Sequence, residues 1–226
     1  MPPRARWAVL AVLVVAFGSA IWVAGQRGES LPGGVQRLGP ETAEPVVDYL
    51  RRAGASLPAE ASEPVWALVQ LDGYLAPAPA AELVRSVRLS RVILRVPLSR
   101  VQTALITRDL PGQRPVAELT EALRAAAADR LAASRVARDG RRAAVAAAEA
   151  TALRRGCTCV LALLVLGDRD ALAAVVARPG VRAVHAALPD TAIQDLAISP
   201  LLPEQVDTTG PVPDDGPVLD DGPGLV

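Results

Sequence analysis

Lysine and asparagine are missing from this 226-residue chain, and all 24 of its basic side chains are arginine. Both residues need A/T-rich codons, so their absence reads as the imprint of a GC-rich bacterial genome rather than as a function. Without Lys there is no phosphate loop of the G-x-x-x-x-G-K-[ST] kind, and without Asn no N-glycosylation acceptor. Histidine, methionine and phenylalanine occur once each, so imidazole metal or acid–base chemistry has almost no raw material. There is no G-x-S-x-G elbow, and no Ser, Asp and His grouping that strand ends would unite. The expectation is a protein that is not an enzyme, with no catalytic, cofactor-binding or metal-ligating residue.

Cysteine is nearly as scarce: Cys157 and Cys159 stand one residue apart in "GCTCVLALLVLGD". Zinc sites need two Cys pairs, or Cys with His, at wider spacing, and redox pairs show C-x-x-C near a helix N-terminus. Residues two apart on a strand share a face. The pair therefore reads as two small buried side chains at a strand start, either a disulfide or a thiol pair. Arg154 and Arg155 nearby would lower a thiolate pKa, which keeps an envelope thiol-redox enzyme as an alternative function. The block Val160–Leu166 is apolar at alternate positions on both faces, as in a central strand covered on both sides. On strict alternation, Cys157, Cys159, Leu161, Leu163 and Val165 share one face.

A net charge of zero hides a segregation. Residues 85–182 hold eighteen Arg against eight acids, whereas residues 183–226 hold eight acids and no Arg. Trp7 to Gln26 is uncharged over twenty residues, about the length of helix that crosses the ~30 Å hydrocarbon core. Trp7 and Trp22 sit near its two ends, where indoles favour the interface. A cleaved signal peptide with Gly18-Ser19-Ala20 as its processing site competes with this reading. Ile21-Trp22-Val23 carry the apolar run past that site and favour a retained anchor. Arg4 and Arg6 ahead of the span bias the N-terminus to the cytoplasm, so residues 27–226 are expected outside it.

The expected organisation is a cytoplasmic segment at 1–6, a transmembrane helix at 7–26 and a linker with a short helix at 27–64. An extracytoplasmic α/β domain at 65–188 follows, then a Pro/Gly/Asp-rich tail at 189–226. The linker helix runs over 41–53 with Thr42 as its N-cap. Strands are expected at 65–71, 89–98, 101–107, 157–166 and 181–188, the last carrying His185 as a packed or edge histidine. The face of strand 89–98 with Arg91, Ile93 and Arg95 is expected to meet water or a partner. An Ala/Arg-rich helical segment spans 114–155, mostly exposed, packing on a thin stripe and broken at Asp139-Gly140 by a kink or a helix–turn–helix. Asp168 caps a further helix. "ALVQLDG" (67–73) and "ALLVLGD" (162–168) echo each other as strand ends that lead into a helix and another strand. Two such βαβ halves are the plan of a ferredoxin-like plait. A plait of that kind keeps a protease-propeptide or inhibitor role open as a second alternative.

"GPVPDD" (210–215) and "GPVLDD" (216–221) repeat in tandem. Pro, Gly and Asp bury too little surface to offset ordering entropy, so the acidic tail is expected to be disordered; the Asp spacing does not fit an EF-hand loop. The charge segregation predicts that this tail folds back on the basic middle and competes there with an anionic partner. The surface for that partner is expected at Arg91, Arg95, Arg124, Arg135, Arg138, Arg141 and Arg142. No aromatic residues interleave with these arginines, so nucleic acid is not expected.

The stretches "PVWALVQLDGYL", "VILRVPLSRVQT" and "CTCVLALLVLGDRDALAAVVARPGVRAVHAALPD", followed by "SPLLPEQ", resemble a group of single-pass, membrane-anchored envelope proteins of high-GC actinobacteria. The resemblance covers most of residues 45–206 and implies no activity or catalytic residue. The expected function is binding or scaffolding in the cell envelope. The bilayer would hold residues 7–26, and the contact would be an envelope protein, an anionic polymer or lipid headgroups.

Overall fold

Pro45 sets where the first helix begins. The residue before a proline is pushed out of the α region, so the helix expected from Thr42 starts only at Val46. The computed structural model describes residues 34–60 and 63–218, and the apolar run at 7–26 lies outside them. Among the described residues no helix is long and apolar enough to cross a membrane. In chain order come β1 (Gln36–Leu38), α1 (Val46–Ala55), β2 (Val65–Leu75), α2 (Pro77–Leu83), β3 (Arg88–Leu94) and β4 (Ile106–Asp109). Then follow α3 (Pro115–Val136), α4 (Gly140–Arg154), β5 (Val160–Gly167), α5 (Arg169–Val176), β6 (Val181–Ala186), a 3-10 turn at Ile193–Asp195 and β7 (Leu196–Ile198). The described residues form a mixed α/β structure with five helices and two sheets.

The larger sheet has the order β4-β3-β5-β2-β6, and the neighbours are antiparallel throughout. β5, the strand of the cysteine stretch, is central, as its two-sided apolar pattern predicts. Strict alternation does not hold along it. Against β3, Ile93 faces Ala162 and Leu94 faces Val160, which leaves Leu161 as an extra residue. A bulge of this kind shifts the pleat by one. Val160 therefore packs with Cys159, Leu163 and Val165 under the helices, and Leu161 joins Leu164 on the opposite face.

The Ala/Arg segment is a helix–turn–helix, α3 packed against α4. Pro115 opens α3, where its fixed φ suits a first turn. The Asp139 carboxylate caps α4 by accepting the Arg142 N–H at 2.8 Å. The expectation of a mostly exposed segment fails for α4. Val145, Ala146, Ala148, Glu149, Ala150, Ala152 and Leu153 are all buried, because alanines admit close neighbours on several sides. Asp168 caps α5 as expected, accepting from Ala171 N–H.

The second correction concerns the tail. Residues 189–218 are laid along the domain: β7 pairs with β1, and Leu196 and Leu202 pack with Leu38, Leu68, Ile93, Leu161 and Leu164. This layer covers the sheet face that strand 89–98 was expected to turn to water. Ile93 is buried, and Arg95, 2% exposed, lies beneath the layer. Composition misjudged the segment because its few apolar residues fall where a bare sheet face needs them.

Buried polar ties secure the layer. Gln70, on β2, is fully buried; its amide donates to Tyr49 Oη (2.9 Å) and its carbonyl oxygen accepts from Leu201 N–H (3.0 Å). Burial pushes the Tyr49 phenol up to about 12, so it stays protonated. On β6, His185 Nδ1 accepts from Gly39 N–H at 3.0 Å and its ring meets Tyr49 edge-on. Gly39 adopts φ +122°, and a Cβ there would collide with the Ser199 carbonyl. Its glycine is obligatory.

Two outcomes test this layer. Leu201 is fully buried among Val46, Tyr49, Ala53 and Ala183, so Leu201→Ala is expected to cost about 2–5 kcal/mol in urea unfolding. A change near zero would mean that the segment does not pack. Burial lowers the His185 pKa to about 4, so the folded state favours the neutral ring. Its contribution is complete above the unfolded value of about 6.5 and drains away as pH falls toward 4, a loss of up to about 3 kcal/mol. Unfolding midpoints across that window should slope in the native chain and flatten in His185→Gln.

Candidate functional site

Four elements bring their charges together at one end of the helical hairpin. α4 supplies Arg141 in its first turn, just past the Asp139 cap. The turn after β3 supplies Arg100 and Gln102, with Arg100 at φ +54°. α3 supplies Arg130 from its fifth turn. The C-terminal segment Val212–Gly216 lies across them.

Arg141 grips that segment by its main chain as well as by charge. Its guanidinium donates to the carbonyls of Gly216 and Asp214 and to Asp214 Oδ1, each at 3.0 Å. Arg100 holds the Asp215 carboxylate in a two-pronged pair. The Gln102 N–H donates to Asp214 Oδ1 (3.0 Å), and its side-chain amide donates to the Val212 carbonyl (3.0 Å). Gly216 N–H closes the set on the Arg100 carbonyl at 2.8 Å. A Cβ at Gly216 would run into the Ser99 carbonyl, so only glycine fits. Hydrogen bonding from Arg141 holds the Asp214 carboxyl below the ordinary carboxylate range, and Arg100 does the same for Asp215.

Beside this strap an open cleft of about 550 Å³ is lined by Arg130, Arg142, Val145 and Asp139. Arg130 on its wall is held from behind by Glu149, which is fully buried. The Glu149 carboxylate accepts from Arg130 Nε and from Ala104 N–H, both at 2.6 Å. A buried carboxylate holding one helix and one loop makes the cleft a preset shape rather than a loose surface.

The expected arginine surface is only partly assembled. Arg141 and Arg142 line the cleft. Arg135 and Arg138 are exposed at the end of α3 and in the turn after it. Arg124 pairs with Glu121 at 3.3 Å on α3. Arg91 pairs with Asp109 across the sheet edge at 2.5 Å. Arg95 is withdrawn altogether: it donates to Glu204 Oε1 (2.8 Å) and to Tyr74 Oη beneath the C-terminal layer. Burial raises the pKa of that phenol. Arg95 faces a covered sheet and does not belong to an open anionic surface.

Cys157 and Cys159 are joined in a disulfide between α4 and β5, with Cα atoms 5.3 Å apart and Cys159 fully buried. Among the described residues no three His, Cys, Asp or Glu side chains gather as a metal group would. Sequence reasoning missed Arg100, Gln102, Arg130 and Glu149. Only the segregated charge pointed here, and the expectation that the acidic segment folds back on the basic middle holds for Asp214 and Asp215. Comparison with protein-family profiles, with curated proteins and with solved structures finds no match.

Removing the Glu149 carboxylate should leave Arg130 and the Ala104 N–H without their shared acceptor. Glu149→Ala is expected to cost about 3–5 kcal/mol in urea unfolding. A loss no larger than that of an exposed substitution would show that the Arg130 wall is not held this way.

Proposed function

We propose that this chain is a membrane-anchored, extracytoplasmic binding or scaffold protein of the bacterial cell envelope, which engages an acidic partner at the guanidinium-lined cleft. The observation that carries the reading is the grip of Arg100, Gln102 and Arg141 on Val212–Gly216, made to main-chain carbonyls as well as to carboxylates. Bonds to main-chain atoms in extended peptide are a means of segment recognition, and paired guanidinium groups select the acidic ones. The open cleft beside the strap, with Arg130 and Arg142 on its wall, gives an acidic protein loop or an anionic envelope polymer room to bind.

The anchor rests on residues 7–26, an uncharged run long enough to span a bilayer. A disulfide between Cys157 and Cys159 suits an oxidising compartment, which accords with a domain outside the cytoplasm. The domain itself we read as a ferredoxin-like plait. In support, β3-β5-β2-β6 is the interleaved order of two split βαβ units, β2-α2-β3 and β5-α5-β6, with β4 and the helical hairpin inserted between them.

Labelling in cells tests both parts of the proposal. Val136 is 79% exposed, so Val136→Cys in intact spheroplasts is expected to react with a membrane-impermeant maleimide. Reaction only after lysis would overturn the extracytoplasmic placement. A photoreactive residue in place of Arg142 is expected to give a discrete adduct, and Arg130→Ser should weaken it about tenfold, the scale of one charge-assisted pair. An adduct indifferent to that change would remove the cleft as the binding site.

A further inference from the structure

The segment gripped by Arg100, Gln102 and Arg141 has a twin. Every hydrogen bond to the strap falls on Val212, Asp214, Asp215 or Gly216. The chain then repeats the pattern six residues later: V-P-D-D-G-P at 212–217 becomes V-L-D-D-G-P at 218–223. The single difference is Pro213 against Leu219, and Pro213 is exposed. The glycine that the Ser99 carbonyl demands at 216 is present again at 222.

We propose that the Arg100–Gln102–Arg141 cleft is a receptor for V-x-D-D-G segments with two ligands in this chain, so that Val218–Gly222 competes with Val212–Gly216 for the same bonds. The proposal rests on reading the cleft as a peptide-binding site, and it names the recognised sequence. The competition is intramolecular. Thr209 is pinned by its N–H to the Glu44 carbonyl at 3.0 Å, and the second copy reaches the cleft by looping out six further residues. Lengthening the tether from about three residues to about nine disfavours the second copy roughly fivefold, so the first copy is the resident one. Within one chain the effective concentration of a ligand on a short flexible tether is millimolar, far above what a second molecule supplies in dilute solution. The device gives the C-terminal segment two registers on one site, and an acidic partner with the same pattern would compete with both.

Residue-resolved amide exchange on the full chain tests it. In the chain as it stands, the Gly216 and Gln102 amides are expected to be protected. In Asp214→Ser with Asp215→Ser, protection should move from Gly216 to Gly222, while Gln102 keeps protection within about a factor of ten of its original value, now bonded to Asp220. Adding Asp220→Ser and Asp221→Ser should expose all three amides. Exposure of both glycines already in the double variant would overturn the two-register proposal and leave the cleft as a site for the first copy. If Gln102 stays protected even in the fourfold variant, the carboxylates do not hold the strap, and the peptide-binding reading of the cleft falls with the proposal. Protection of Gly222 that rises with protein concentration would overturn the intramolecular register. The β5 amides, remote from all four substitutions, report that the fold is intact.

Discussion

A sheet that is apolar on both faces needs two covers, and this single constraint organises the molecule. Leu68, Ile93, Leu161 and Leu164 lie on the face away from the helices and are fully buried or nearly so. Each such side chain returned to water would cost about 1.5–3 kcal/mol. The helices α2, α3 and α5 serve the other face; among the described residues, α1 covers this one at β6, and Leu38 with the segment after residue 189 covers the rest. The segment after β6 is therefore structural. Its buried leucines Leu196, Leu201 and Leu202 and its pairing with β1 complete a second layer.

That layer is thin, so polar ties do what apolar bulk does elsewhere. Gln70 points from β2 into this layer, where it binds Tyr49 on α1 and the backbone at Leu201. His185 does the same from β6 to Gly39. Buried amide and imidazole groups of this kind are costly when unpaired, which makes them directional: only one placement of the N-terminal and C-terminal segments satisfies both. Arg95, buried beside Tyr74 and Glu204, adds a third tie. Its charge is compensated by a carboxylate that lies on the covering segment itself.

Much of the larger sheet was legible in the sequence, because its signals are periodic. Val65–Leu71, Cys157–Leu166 and Val181–Leu188 read as strands from their apolar runs. Asp139 and Asp168 read as helix caps from their positions ahead of helical stretches. What failed was anything that depended on tertiary partners. Arg95 looked exposed by alternation, yet Glu204 is 109 residues away in sequence. The bulge at Leu161 depends on pairing with β3, which no pattern within β5 encodes. The last twenty or so residues looked disordered because composition averages over a window, whereas order up to residue 218 comes from a few residues at fixed places. The cleft was half legible: opposite charges in 85–182 and 183–226 implied contact, but nothing identified Gln102 or Glu149.

An acidic Pro/Gly segment can be ordered at modest entropic cost when the ordering groups are themselves rigid. Pro211, Pro213 and Pro217 fix φ at their own positions and restrict the residue before each, so the strap has fewer conformations to lose. Arg141 sits in the first turn of a capped helix, and Arg100 and Gln102 sit on a turn whose Ala104 N–H is held by buried Glu149. The receptor is thus assembled before the strap arrives, as preorganised binding sites require. Exposed ion pairs such as Arg100–Asp215 are each worth little. Their value here is selection among segments rather than stability. A site that spends little free energy on holding its own tail is one from which that tail can be displaced.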